Sequence, residues 1–292
     1  MGNVPPEAVS YLTRDNPRLQ ELKERYPKFT KWPHSCWTPW EDKVDLLRFR
    51  GENDYLSQAY FKDTLKRYEM STAYVEMIDQ MGLLKTLQED NLFGVKTWDI
   101  IPDHPVTRDL LDSIIEITFL KEMLGWDRGQ AVRVLDIGAG YGRFAYRFTN
   151  TFPAGDVTCI DAIPTSTFLC EFYLKFRQAA ARTRVVPFDE VDHLGDRPYD
   201  LAINIHSWSE CTLEFIRFWL GRVRDLKIPY LFVVPHFQDF STKEPDGSNQ
   251  SYFEELGKHG FKEMLHQRKF QRSTVTDRYG VYPADYWIFK RG

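Results

Sequence analysis

The residues best able to do chemistry lie between Val134 and Phe144, in the stretch VLDIGAGYGRF. Three glycines at alternate positions, Gly138, Gly140 and Gly142, follow an apolar run and precede a helix-like one. Glycine costs backbone entropy, so its use here implies a ligand that approaches the main chain closely. Backbone N–H groups at the start of the following helix favour an anion or a carboxylate. A dinucleotide site wants G-x-G-x-x-G. This loop is G-x-G-x-G with Asp136 before it, so it suits a ligand of another shape. Asp161 stands 19 residues beyond Gly142 and closes VTCID, where an acid can accept both hydroxyls of a ribose. His206 in NIHSWSEC and His236 in VVPHFQDF fall at two later strand ends. A neutral imidazole is the usual base near pH 7 for the proton of an alcohol. His206 has a plainer reading too. Ser207 and Glu210 fit a capping box that starts the next helix, and His206 would then pack beside it.

The surrounding pattern says what positions these residues. Residues 1–130 read as mostly helical, with apolar residues at helical spacing over 55–88 and 106–126. From Val132 strands and helices alternate. Strands are expected at 132–138, 156–162, 184–188, 199–205 and 229–235, with helices at 143–150, 166–180, 210–225 and 251–260. FKEMLHQRKF and ADYWIFKR read as a closing antiparallel pair. Alternation of this kind predicts a doubly wound parallel α/β sheet with its ligand at the carboxyl ends of the strands. The chain thus divides into a helical N-terminal or lid region, 1–130, and a ligand-binding core, 131–292.

Composition narrows the class. The 292 residues are 42% hydrophobic with a net charge of -4, the balance of an ordinary globular protein without a basic field for nucleic acid. Runs such as YLFVVP are too short to span a bilayer, and the first residues carry no signal-peptide pattern. A cytoplasmic protein is expected, without nucleic-acid or membrane partners. Cys36, Cys159, Cys170 and Cys211 have irregular spacing and read as reduced thiols. Trp32, Trp37 and Trp40 cluster ahead of the core; flat aromatic faces suit a sugar ring, or packing between a lid and a core. The helical region could equally be a homodimer face.

The G-x-G-x-G spacing with its preceding acid resembles the signature of class I methyltransferases that bind S-adenosylmethionine. LDIGAGYGRFAYRF (135–148), DLAINIHSWSE (200–210) and LLRFRGENDYLSQAYF (46–61) further resemble the sugar O-methyltransferases of natural-product and capsule pathways. That likeness covers roughly residues 40–290, with Cys211 standing where the family pattern carries a methionine. The resemblance implies the Rossmann-like class I fold, doubly wound with a mainly parallel seven-stranded sheet. It implies S-adenosyl-L-methionine as cofactor and a hydroxyl of a sugar-containing small molecule as acceptor. Cofactor contacts are expected from Asp136, Gly138, Gly140, Gly142, Asp161, Ala162 and Asn204. In this fold an acid after the third strand holds the adenine amino group. Asp189 is the candidate, with Glu190 or Asp192 as alternatives. His206 or His236 would serve as the base. Strand ends carrying histidines rather than an acidic pair favour metal-independent chemistry, since hard cations want oxygen ligands. Two further readings stand beside this one: an N-methyltransferase of amino-sugars or small amines, and a non-catalytic protein that binds the cofactor.

Overall fold

A computed structural model of the chain describes residues 3–29, 36, 41–51, 55–56, 63–236 and 239–292. The tryptophan cluster at 32, 37 and 40 lies outside the described residues, as does part of the 46–61 stretch.

The N-terminal region carries helices α1 (Pro6–Tyr11), α2 (Pro17–Phe29), α3 (Thr64–Ile78) and α4 (Leu83–Thr86). The helical reading of 55–88 is interrupted. Gly82 adopts φ +67° between α3 and α4, a left-handed conformation that ends one helix and starts another. A hairpin of β1 (Trp98–Ile101) and β2 (His104–Val106) then interrupts a region read as helical. Helix α5 (Arg108–Leu124) follows, with Thr107 as its N-cap and Gly125 in the left-handed conformation at its end.

The core runs β3 (Arg133–Ile137), α6 (Arg143–Thr151), β4 (Asp156–Asp161), α7 (Pro164–Phe176), β5 (Thr183–Pro187), β6 (Leu201–Ile205), α8 (Leu213–Asp225) and β7 (Tyr230–Val234). It closes with α9 (Phe253–Lys258), β8 (Phe261–Arg268), α10 (Thr274–Tyr279) and β9 (Asp285–Arg291). The strand order is β5-β4-β3-β6-β7-β9-β8. Strands β3 to β7 pair in parallel, and β9 lies antiparallel to both β7 and β8. This is the doubly wound, mainly parallel seven-stranded Rossmann-like fold expected, with the antiparallel pair at one edge. Among the described residues no helix is long and apolar enough to cross a membrane.

Period-two alternation divides the strands between two apolar layers. Leu135, Ile137, Ala202, Leu231 and Val233 pack with Phe168 of α7 and Trp219 of α8. Val134, Leu201, Ile203, Phe232 and Val234 face the other way, with Leu111 and Ile115 of α5 and Phe148 of α6. Both faces are covered, as parallel sheets require. Helix α5 is buried from Arg108 to Leu120, so this part of the N-terminal region is a layer of the core. The strand order reverses between β3 and β6. The loops after β3, β4, β6 and β7 therefore meet over one crevice.

Candidate functional site

At this crevice lies a cleft enclosing about 1020 Å³ of empty space, its open mouth included. Its wall is built from four successive strand ends and a piece of the N-terminal region.

The loop after β3 supplies the first wall. Gly138, Gly140 and Gly142 have φ of +79°, +56° and +86°, so each adopts a backbone that other residues resist. At Gly138 a Cβ would stand 2.0 Å from Ser207 Oγ, so the β6 end can approach only a glycine. Asp136 and Asp161 both line the cleft. Gly140 N donates to Asp161 Oδ2 at 2.9 Å and Ile163 N to Oδ1 at 2.9 Å. A carboxylate offers about four acceptor sites, so a vicinal diol can still be taken at Asp161. Burial pushes the Asp161 carboxyl up to about 7, against the pull of those two N–H donors. Burial also pushes Asp136 up to about 7, with the Arg143 guanidinium opposing. A cationic ligand would draw both groups back towards the ionised form. The residues present thus fit the ribose and the charged tail of S-adenosylmethionine.

Ala162 lies on the cleft wall beside Asp161, while Gly142, Asn204 and Asp189 do not line it; Gly142 packs instead against Cys170 and Leu174. The Asn204 amide is spent inside the protein. Its Nδ2 donates to Ile137 O at 2.8 Å and Ser207 Oγ at 2.6 Å, and its Oδ1 accepts from Trp208 N at 3.0 Å. It braces the ends of β3 and β6. Asp189 Oδ2 accepts from Arg25 Nε of α2 at 2.7 Å, and Glu190 accepts from the same guanidinium. Asp189 Oδ1 is buried with no hydrogen-bond partner among the described residues.

The ends of β6 and β7 supply the opposite wall. His206 has φ +69°, a left-handed backbone that costs a non-glycine residue about 1–3 kcal/mol. The turn it makes brings its ring against that of His236, with centroids 4.7 Å apart and planes at 18°. Burial, then His236 and the cations Arg108, Arg143 and Lys269, hold His206 well below the ordinary histidine range. It is therefore neutral at pH 7. Its Nδ1 is buried with no hydrogen-bond partner among the described residues. His236 Nε2 lies 3.4 Å from Glu210 Oε1, and its backbone N donates to Ser209 Oγ at 3.0 Å.

The capping box is not formed. Ser207–Glu210 is a short 3-10 turn, the Ser207 hydroxyl serves Asn204, and α8 begins at Thr212, whose Oγ1 accepts from Phe215 N. Glu210 is thereby released to face His236 rather than a helix end. Tyr55 is a further wall residue with no local sequence signal. Its hydroxyl meets Ser166 Oγ at 3.1 Å, and a Cβ on Gly140 would stand 3.0 Å from its ring. Cys159, Cys170 and Cys211 are buried, Cys36 is exposed, and all four are free thiols. Among the described residues no three His, Cys, Asp or Glu side chains group as metal ligands.

No family model and no curated protein sequence matches the chain. Solved structures do match it. The mitomycin 7-O-methyltransferase MmcR is 17% identical over 63% of this chain and 56% of its own, with a TM-score of 0.43. The chain thus spans little more than half of that enzyme. The cyclase SpnF is 15% identical over 77% of this chain and 94% of its own, TM-score 0.45. The 1,6-didemethyltoxoflavin-N1-methyltransferase of Burkholderia thailandensis is 17% identical over 60% of this chain and 76% of its own, TM-score 0.43. Three different reactions are named among them, and a fold does not choose between reactions. The chemistry of this chain has to be argued from its own cleft.

Proposed function

We propose that the protein is an S-adenosylmethionine-dependent O-methyltransferase acting on a hydroxyl of a sugar or glycosylated small molecule. The observation that carries this reading is one cleft with two unlike walls. The glycine loop, Asp136 and Asp161 line one side, and His206, His236 and Glu210 the other. When bound, S-adenosylmethionine supplies an electrophilic methyl group on a sulfonium.

Asp161 takes the ribose hydroxyls, and Asp136 compensates the positive charge of the cofactor. The histidine wall receives the acceptor hydroxyl and removes its proton as the oxygen bonds to the methyl carbon. The sulfur would leave neutral, so the proton taken up by the histidine would be the one charge this wall has to stabilise. His206 and His236 are the two candidates for the base, and Glu210 favours His236. The Glu210 carboxylate, 3.4 Å from His236 Nε2, would stabilise the imidazolium that forms. His206, buried and neutral, packs flat against that ring and fixes its plane. The acceptor is read as a small molecule and the protein as cytoplasmic.

An amine acceptor is the second reading, and the carboxylates favour it. Asp136, Asp161 and Glu210 line the cleft, while its one arginine, Arg143, is bonded to Glu116 at 2.8 Å. A free amine brings its own lone pair and would need neither histidine. A cofactor-binding protein without turnover remains as the third reading.

The first test is calorimetric titration with S-adenosylmethionine and S-adenosylhomocysteine, with Asp161→Ala as control. Micromolar binding that disappears in the variant is expected, and no binding by the wild type would overturn the reading. Radiolabelled methyl transfer to neutral glycosides and amino-glycosides then separates the acceptor classes. Activity that survives loss of both histidines would favour the amine.

A further inference from the structure

We infer that the N-terminal region is part of the cofactor site, because Arg50 and Asp109 act through the Tyr141 hydroxyl to hold the glycine loop in its binding shape. This rests on the reading of that loop as the cradle for the cofactor's amino-acid tail.

A loop with glycine at three alternate positions is poorly determined by its own backbone. Its first half is held by the neighbouring strand. Gly138 N donates to Ile160 O at 2.8 Å, and Gly140 N to Asp161. Its second half is held through Tyr141, the loop residue with a long side chain. The Tyr141 ring is boxed by Phe49, Tyr55 and Tyr173, at centroid distances of 5.3, 5.6 and 5.2 Å. Its buried hydroxyl donates to Asp109 Oδ2 at 2.6 Å.

Asp109, at the start of α5, is fixed in turn by two arginines. Arg50 Nη2 lies 3.2 Å from Asp109 Oδ2, and Arg147 Nη2 lies 3.1 Å from Oδ1. Both arginines also bond Glu89, at 2.7 and 2.8 Å. Two guanidinium groups thus meet two carboxylates, all buried, and no charge in this set of four is left over. Burial would raise the Asp109 carboxyl, but Arg50, Arg147 and Arg143 hold it below its ordinary range, so Tyr141 donates to a true carboxylate. Hydrogen bonds to ionised acceptors are the strong kind. Arg50 and Glu89 come from the segment before α5, so their ion pairs reach the cofactor loop through Tyr141. These are positioning residues; none of the three carries out a reaction step.

Tyr141→Phe is the decisive variant, because it removes one hydroxyl and leaves Asp109 with both arginines. S-adenosylhomocysteine should bind about tenfold more weakly, because a loosened loop must be ordered on binding. 5′-Methylthioadenosine lacks the amino-acid tail and should bind within about twofold of the wild type. Equal weakening of both ligands, or no weakening of either, would overturn the inference. Amide hydrogen exchange of the ligand-free protein gives an independent reading. Faster exchange at 138–142 in Tyr141→Phe is expected, and Arg50→Lys should produce it too, since the ammonium cannot bridge Asp109 and Glu89 as a fork. Unchanged exchange in both variants would overturn the inference. A wild type that binds neither ligand would instead overturn the proposed function, while the exchange result would still decide the coupling.

Discussion

The two walls of the cleft are built to different standards. On the glycine side the groups that shape the loop have partners within the protein. Asp161 accepts two backbone N–H groups, and Tyr141 is tied to Asp109. On the histidine side the backbone takes a positive φ at His206, the His206 Nδ1 is buried without a hydrogen-bond partner among the described residues, and His236 Nε2 lies 3.4 Å from Glu210 Oε1. A binding surface gains from being fixed before its ligand arrives. A reacting surface must keep polar capacity for a substrate and tolerate strain to do so. Substitutions on the glycine side should therefore act on stability and affinity, and those on the histidine side on rate.

Four experiments would break or sharpen that contrast. His236→Ala should cut methyl transfer by about 10²- to 10⁴-fold while leaving S-adenosylhomocysteine affinity unchanged. A parallel loss of affinity would erase the distinction between the walls. Gly138→Ala should act the other way. Its Cβ has nowhere to go beside Ser207 Oγ at 2.0 Å, and its φ of +79° is strained for alanine. A loss of about 2–4 kcal/mol in unfolding free energy is expected from denaturant melts. Glu210→Gln keeps shape and removes charge, so turnover should fall about tenfold at unchanged S-adenosylhomocysteine affinity. Unchanged turnover would return the role of base to His206.

The fourth effect is on pH. Asp136 and Asp161 sit near 7 in the folded protein, whereas a free Asp titrates near 4. Folding therefore takes up protons between those values. The stabilisation they contribute is fully present below about pH 4 and is lost as pH rises to about 7. The ligand-free protein should melt progressively earlier across that window. A cationic ligand reverses the shift, so binding should release protons and tighten by at most about tenfold per pH unit for each proton. Titration in buffers of different ionisation enthalpy would detect the release.

Much of this was legible along the chain. The glycine spacing, the alternation of strands and helices after Val132, and the closing antiparallel pair are local patterns, and each became the element expected. Local pattern failed where a residue's partner was distant. Ser207 and Glu210 have the spacing of a capping box, yet Asn204 claims the serine and His236 faces the glutamate. Asp189 stands at the expected strand end, and Arg25 from α2 occupies one of its oxygens. Arg108, Asp109, Asp112 and Glu116 are the charged residues of the first turns of a segment expected to be helical from its apolar spacing. They are buried because α5 lies between the sheet and α3, with its charges paired across the fold.

The sequence by itself determined the alternation of strands and helices, the mainly parallel sheet and which residues stand at its strand ends. These follow from hydrophobic period, turn chemistry and the handedness of parallel crossovers, all of which act over short stretches. The tertiary structure alone decided which strand-end acids and histidines meet, which are spent on internal bonds, and how far each carboxyl is lifted by burial. Those outcomes depend on distances between residues far apart in the chain. Arg50 reaching Tyr141 through Asp109 is one such outcome, and no local pattern encodes it.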